Sequence, residues 1–158
     1  MKFVTPLPGV TRKRCYQYTT IDDCTRLRIL EIFERNNARS AIEIVDHVGE
    51  HLPFRVYQIQ TDNGVEFQKD FHWHVLDMGI SPVHSNPRTP RFNGKVERSY
   101  RTDWEELCAL LRGVVIDHAK HFNEMIHECE HFHNYDRPHG SQGGQTPYKR
   151  CKQKTTTG

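Results

Sequence analysis

Residues 14–33 read RCYQYTTIDDCTRLRILEIF, two runs of β-branched and aromatic residues on either side of a short polar step. Arg14–Ile21 and Arg26–Phe33 have the composition of strands, and Asp22–Thr25 has that of a turn, so the stretch predicts a hairpin or meander. Upstream, Lys2–Thr5 fits the remainder of a further strand, broken at Pro6–Gly9. Downstream, Ala41, Ile44, Val45 and Val48 recur at helical spacing within 38–52, with Ser40 as a candidate cap. Phe54–Gln60 (FRVYQIQ) alternates as a strand does and runs into TDNG, whose Asn-Gly step signals a turn. Phe67, Phe71, Val75 and Met78 then mark a helix closed by Gly79, and Ile80–His84 is a short strand. A long helix is expected from Asn93 and another over about 116–135. The order β-β-β-α-β-α-β-α-α combines an antiparallel start with βαβ units, which gives an α/β fold: a mixed sheet flanked by helices.

The whole chain is 158 residues with 22 Lys+Arg, 20 Asp+Glu and 11 His, a formal charge of +2; 35% is hydrophobic and 27% charged. That suits one domain with a buried core. No apolar run approaches the roughly 20 residues of a membrane span, which excludes an integral helical membrane protein. The N-terminus MKFVTPLPGVTRKRC lacks an apolar signal region, so a cytoplasmic location is expected. The five cysteines, Cys15, Cys24, Cys108, Cys129 and Cys151, are scattered and never paired as CxxC. Reduced thiols are expected, rather than a disulfide scaffold or a zinc ribbon.

The small net charge hides a sharp segregation. Between His84 and Arg101 there are five cations, Arg88, Arg91, Lys95, Arg98 and Arg101, and one acid, Glu97; between Thr102 and Asp136 eight acids face two cations. Such asymmetry makes a basic contact surface on a nearly neutral molecule, or else solvated helix faces. Arg88, Arg91, Lys95 and Arg98 are the candidates for contact with a phosphate backbone, since phosphate neutralisation supplies most non-specific affinity, with Arg98 alternatively pairing with an acid on the next helix. Two further basic groups, at 12–14 and 149–154, are compatible with ordinary surface.

Asp62 falls where the 54–60 strand ends, and Glu97 falls in the first turns of the Asn93 helix. Strand ends of open α/β sheets border the crevice where sites form. Asn93 and Glu97 are spaced i,i+4 and can share a face, with Lys95 and Arg98 beside them. Two carboxylates next to a cationic strip suit Mg²⁺ held by one or two protein acids and completed by phosphate oxygens. Taken alone, either acid reads equally well as a surface acid or a cap.

TDNGVEF (61–67) and GISPVHSNPRTPRFNGKVERSYR (79–101) together resemble the catalytic core of DDE-type insertion-sequence transposases of the retroviral-integrase superfamily. That family carries a T-D-N-G-x-E-F strand end, a P-x-x-P-x-x-N-G-x-x-E-R segment and a terminal N-x-x-R-P-H…T-P block. The last is present as Asn134-Tyr135-Asp136-Arg137-Pro138-His139 and Thr146-Pro147. YTTIDDCTR (18–26) is similar to the family's second strand. The resemblance spans nearly the whole chain in the family's order.

The resemblance implies an RNase H-like fold with a mixed five-stranded sheet over residues 1–150. By composition, 151–158 reads as a disordered tail. It implies a DDE active site with Asp62 as second acid and Glu97 as third, 34 residues lying between them. Two Mg²⁺ or Mn²⁺ ions would clamp the attacking and leaving oxygens of an in-line phosphodiester displacement. Water nicks DNA to leave a 3′-OH, and that 3′-OH then joins the end to target DNA. The partners implied are transposon ends and target DNA, with a homodimer or higher oligomer near the bacterial nucleoid.

The family's first acid lies on the first strand, and no Asp precedes Asp22 here. The expectation is a chain starting just past that acid, with an incomplete metal site; a catalytically inactive DNA-binding or dimerising remnant is the alternative. Asp22 is the stand-in candidate for the missing acid, against a role in its turn. Glu66 and His84 are candidates for support around the site, each with a structural alternative, as is Asn93. His121, His127, Cys129, His131 and His133 invite a zinc reading, but consecutive odd positions cannot share one helical face. They read instead as an exposed histidine-rich helix. Arg137, Pro138 and His139 are expected to fix the chain's return onto the core.

Overall fold

The structure, a computed structural model, describes residues 2–4, 15–62, 64–84 and 119–156. The chain divides into two compact units, Met1–Glu34 with Arg101–Gly158, and Arg35–Tyr100.

In the first unit, strands β1 (Lys2–Val4), β2 (Cys15–Ile21) and β3 (Arg28–Phe33) form an antiparallel sheet in the order β1-β2-β3. The register pairs Phe3 with Tyr16, and Tyr18 with Glu31. The hairpin is thus the predicted one, with β3 starting two residues late. Arg26 takes φ 68°, and Asp22 N donates to Leu27 O at 2.8 Å, so residues 22–27 belong to the turn. Leu30 and Ile32 are almost fully buried, as are Phe122, Ile126 and Cys129 of helix α3 (Ala119–His131).

The outer edge of β3 is paired by side chains rather than by a strand. Asn123 accepts from Ile32 N at 2.7 Å and donates to Ile32 O at 3.0 Å. Glu130 accepts from Leu30 N at 2.6 Å, and Asn134 accepts from Arg28 N and donates to Arg28 O at 3.0 and 2.7 Å. Positions 123, 130 and 134 lie on one face of the helix and its extension, a π-helical turn over Phe132–Asp136. An open edge with unpaired N–H and C=O groups templates aggregation, and covering it with a helix removes that hazard.

Helix α4 (Pro147–Thr156) completes this unit. It corrects the expected disordered tail over 151–158, because the helix runs through 151–156. Its sequence PYKRCKQKTT offers little apolar periodicity, yet Cys151 is buried and Tyr148 packs on Tyr135 with ring centroids 4.5 Å apart. Lys154 Nζ donates to Cys24 Sγ, and Gln142 Nε2 donates to Cys24 O at 3.3 Å, fastening this end to the hairpin turn. Among the described residues Cys15, Cys24, Cys129 and Cys151 form no disulfide, and burial pushes the Cys151 thiol up.

In the second unit, helix α1 (Ala38–His51) buries Ala41, Ile44, Val45 and Val48, the predicted face. Its cap is Asn37 rather than Ser40: Asn37 is extended, and its side chain accepts from Ser40 N at 3.0 Å. Ser40 lies inside the first turn and donates to Arg35 O at 2.8 Å. Strand β4 covers Gln58–Thr61 only. The expected strand fails over 54–57, where the Tyr57 ring is exposed and Arg55 stacks over it at 5.5 Å.

The predicted 67–78 helix is a 3₁₀ turn (Val65–Phe67) followed by α2 (Asp70–Asp77). At its end Gly79 N donates to Leu76 O and Ile80 N to Val75 O, at 2.9 and 3.0 Å, with Gly79 at φ +72°. This Schellman arrangement requires the left-handed conformation that glycine adopts without steric cost. Strand β5 (Ser81–His84) pairs parallel to β4, with Ile59 opposite Pro82. Among the described residues the expected five-stranded sheet is thus a three-stranded antiparallel sheet in one unit and a two-stranded parallel sheet in the other.

Candidate active site

The parallel β4–β5 pair brings two candidate residues to one sheet end. Thr61 is opposite His84 in the register, and Asp62 follows Thr61 directly. Parallel pairing forces this: both strands run the same way, so the loops after them emerge together. Asp62 is exposed, and its Oδ1 accepts from Gly64 N at 3.0 Å. That bond closes a local turn through an Asp side chain and holds the carboxylate at the strand terminus.

His84 Nδ1 lies 3.4 Å from Thr61 Oγ1. The His84 ring is stacked with His72 of α2, with centroids 6.3 Å apart and planes 15° from parallel. Neither Thr61 nor His72 stands out in the sequence; strand register and helix phase bring them here.

Glu66 is 4% exposed, although it sits beside the exposed Val65 and Gln68. Its carboxylate folds back onto Gly64: its carbon and both oxygens lie 2.7–2.8 Å from where a Cβ on Gly64 would stand. Any side chain at 64 would displace it. Glu66 Oε1 takes no hydrogen bond among the described residues.

Asp22 lies in the other unit and is engaged by its own turn. Its Oδ2 accepts from Thr25 N at 2.7 Å and from Thr25 Oγ1 at 2.6 Å, and its carbonyl accepts from Arg26 N at 2.9 Å. Asp23 pairs with Arg26 at 3.1 Å. Glu97, Asn93, Arg88, Arg91, Lys95 and Arg98 lie outside the described residues.

The histidine-rich segment does not assemble a metal site, and no group of three or more His, Cys, Asp or Glu suited to a metal occurs among the described residues. Nor is it wholly exposed, as the sequence suggested. Cys129 and His133 are buried, while His127 and His131 face outward against Glu31 and Asp136, at 3.3 and 3.5 Å. His133 Nε2 lies 3.2 Å from Arg26 O, and its ring lies 4.4 Å from that of His139. Burial, then the Arg28 guanidinium, lowers the His133 pKa to about 3. His139 N donates to Gln145 O at 3.0 Å, so the terminal block folds back on itself beside Asn134, which is tied to β3.

Residues 78–147 match the integrase core domain family. Among curated proteins it is similar to the ORF3 integrase candidate of Spiroplasma virus SpV1-C74, 24% identical over 164 residues that cover 93% of this chain and 44% of that protein. This chain therefore spans less than half the length of that relative.

Solved structures share its fold at low identity. The simian T-cell lymphotropic virus intasome in complex with PP2A regulatory subunit B56 gamma matches at TM-score 0.76 and 17% identity, over 89% of this chain and 49% of that one. The catalytic core domain of BIV integrase matches at 0.72 and 18%, over 89% and 88%. The HTLV-2 integrase catalytic core, solved with magnesium in a dimeric form, matches at 0.73 and 14%, over 93% and 88%. At these identities the likeness shows the fold, an RNase H-like α/β arrangement. No helix among the described residues is long and apolar enough to cross a membrane.

Proposed function

We propose that this chain is the catalytic core of a DNA transposase or integrase, with Asp62 and Glu97 as ligands for Mg²⁺ or Mn²⁺. The observation that carries the reading is the position of Asp62, an exposed carboxylate held at the end of a parallel strand inside a TDNGVEF motif. Its donor chemistry fits a hard cation: Oδ1 is fixed by Gly64 N, and Oδ2 takes no hydrogen bond among the described residues. A bound divalent ion supplies positive charge to the scissile phosphate and acidity to the attacking hydroxyl.

The chain's own residues bind and orient. Arg88, Arg91, Lys95 and Arg98 neutralise DNA phosphates, Asn93 supports Glu97, and His84 lies beside the Asp62 strand end to meet a phosphate oxygen. In the first reaction water bonds to phosphorus, the P–O3′ bond breaks, and the departing 3′ oxygen takes a proton. In the second that 3′-OH attacks a target phosphate, making one phosphodiester as another breaks. We infer assembly as a dimer or higher oligomer, supported by the dimeric HTLV-2 core and the simian viral intasome.

The test is a nicking and strand-transfer assay on supercoiled and oligonucleotide DNA with Mn²⁺. Any metal-dependent turnover the chain shows should be lost in Asp62→Asn and in Glu97→Gln, with DNA binding left in place. Metal-dependent cleavage that survives both substitutions would sink the assignment.

A further inference from the structure

The unexplained feature of the second unit is Glu66. A carboxylate taken from water without a full set of hydrogen bonds or a counter-charge is strongly disfavoured, and natural folds keep one where a cation or a proton meets it. Glu66 is 4% exposed and its Oε1 has no hydrogen-bond partner among the described residues. The side chain does not reach outward to water. It bends back to lie against Gly64, the same residue whose N–H holds Asp62 Oδ1 at 3.0 Å. Both carboxylates thus lie against Gly64, Asp62 Oδ1 on its N–H and Glu66 where a Cβ would stand.

We propose that Glu66 is a positioning residue of the divalent-cation site at Asp62, its buried carboxylate accepting from the cation's water shell and holding the 62–66 turn in place. This deepens the reading of Asp62 as a metal ligand and rests on it. Gly64 is then required because a side chain there would displace Glu66, and not only for turn geometry. Outer groups of this kind typically change metal affinity about tenfold to a hundredfold when removed.

The experiment titrates the full chain with Mn²⁺, counting free ion by electron paramagnetic resonance, and measures Tm with and without the ion. Glu66→Gln keeps the shape and removes the charge. It should weaken Mn²⁺ binding about tenfold or more, leave the cation-free Tm equal or higher, and shrink the Mn²⁺-induced rise in Tm. Gly64→Ala, which keeps the charge but displaces it, should also weaken Mn²⁺ binding, and it serves if Glu66→Gln does not fold. Wild-type Mn²⁺ affinity in these variants would overturn the proposal and leave Glu66 a scaffold residue. Asp62→Asn separates the two readings: if it weakens Mn²⁺ binding and the other variants do not, this inference alone falls. If Asp62→Asn also binds Mn²⁺ as wild type does, the metal-ligand reading falls with it.

Discussion

The side chain of Asn134 pairs with both backbone groups of Arg28, accepting from its N–H at 3.0 Å and donating to its C=O at 2.7 Å across 106 positions of sequence. An amide is the side chain that can mimic the adjacent strand's donor and acceptor together. Replacing it with alanine leaves two buried main-chain groups unsatisfied, at about 1–3 kcal/mol each. Asn134→Ala should therefore cost about 2–4 kcal/mol in urea denaturation. Asn134→Asp keeps the acceptor but sets a charge against the Arg28 carbonyl. Its deficit should be large at pH 7 and shrink as pH falls and the carboxyl gains a proton to donate. Equal stability of wild type and Asn134→Ala would show that the edge is held by apolar packing alone.

His133 makes stability fall with acid. Its folded pKa is lowered to about 3 by burial and then by Arg28, against 6.5 for an ordinary histidine. Between those values the unfolded chain binds a proton that the folded chain refuses, so stability rises with pH through this window and is lost as pH falls from about 6.5 toward 3. The contribution is on the order of 4 kcal/mol across the window. His133→Gln should flatten the curve of unfolding free energy against pH there, even if its stability at pH 8 is lower. An unchanged slope would mean that His133 is solvated and titrates normally.

Glu130 has the opposite sign. Its carboxylate accepts from Leu30 N at 2.6 Å, but burial raises its pKa above 4.5, outweighing that bond and the nearby His127 and Arg28. From pH 4.5 upward the unfolded state releases its proton first, so this group withdraws stability as pH rises toward its folded pKa and keeps the full penalty beyond it. Glu130→Gln retains an acceptor for Leu30 N without the charge. It should be more stable than wild type at pH 7, with the gap closing below pH 4.5. Chemical denaturation at the two pH values decides it, and a variant that is weaker at pH 7 would show that the charge itself holds the helix on β3.

These contacts mark where the sequence becomes opaque. The hairpin and α1 were legible because Leu30, Ile32, Ile44 and Val48 repeat with the period of their element, and the Gly79 stop was legible from glycine's left-handed freedom. Asn123, Glu130 and Asn134 read as polar helix positions, because their partners on β3 lie 91 to 106 residues away. Residues 151–156 read as tail because tertiary anchors at Tyr148 and Cys151 hold the helix, and helix propensity does not reveal them. Of the candidate site, the motif named Asp62, Glu66 and His84. The stacking of His72 on His84 and the burial of Glu66 came only with the fold.

The basic strip has a salt signature. If Arg88, Arg91, Lys95 and Arg98 each neutralise a phosphate, each cation replaced by Gln should reduce the slope of log affinity against log salt by about 0.9 on duplex DNA. The loss should be similar on unrelated sequences, since phosphates carry no sequence information. Anisotropy titrations of single and double variants between low and moderate salt measure both quantities. A slope unchanged in the Arg88→Gln, Arg91→Gln double variant would remove these two residues from the DNA contact.

The last prediction separates the two acids at turns. Asp62 and Asp22 each spend one carboxylate oxygen on local hydrogen bonds, to Gly64 N in one case and to Thr25 N and Oγ1 in the other. Asparagine keeps an acceptor oxygen in the same place, so Asp22→Asn preserves the Thr25 bonds and should lower stability by less than about 1 kcal/mol. A carboxylate that binds a divalent ion does not survive that exchange, because the amide surrenders the charge that draws the ion. If Asp22 serves its turn alone, Asp22→Asn should keep whatever Mn²⁺-dependent nicking the wild type shows, within about twofold. Asp62→Asn should lose it by several orders of magnitude. Asp22→Ala should instead unfold more readily, since Thr25 N and Oγ1 lose their acceptor together. A fold-intact Asp22→Asn protein without activity would make Asp22 a working acid.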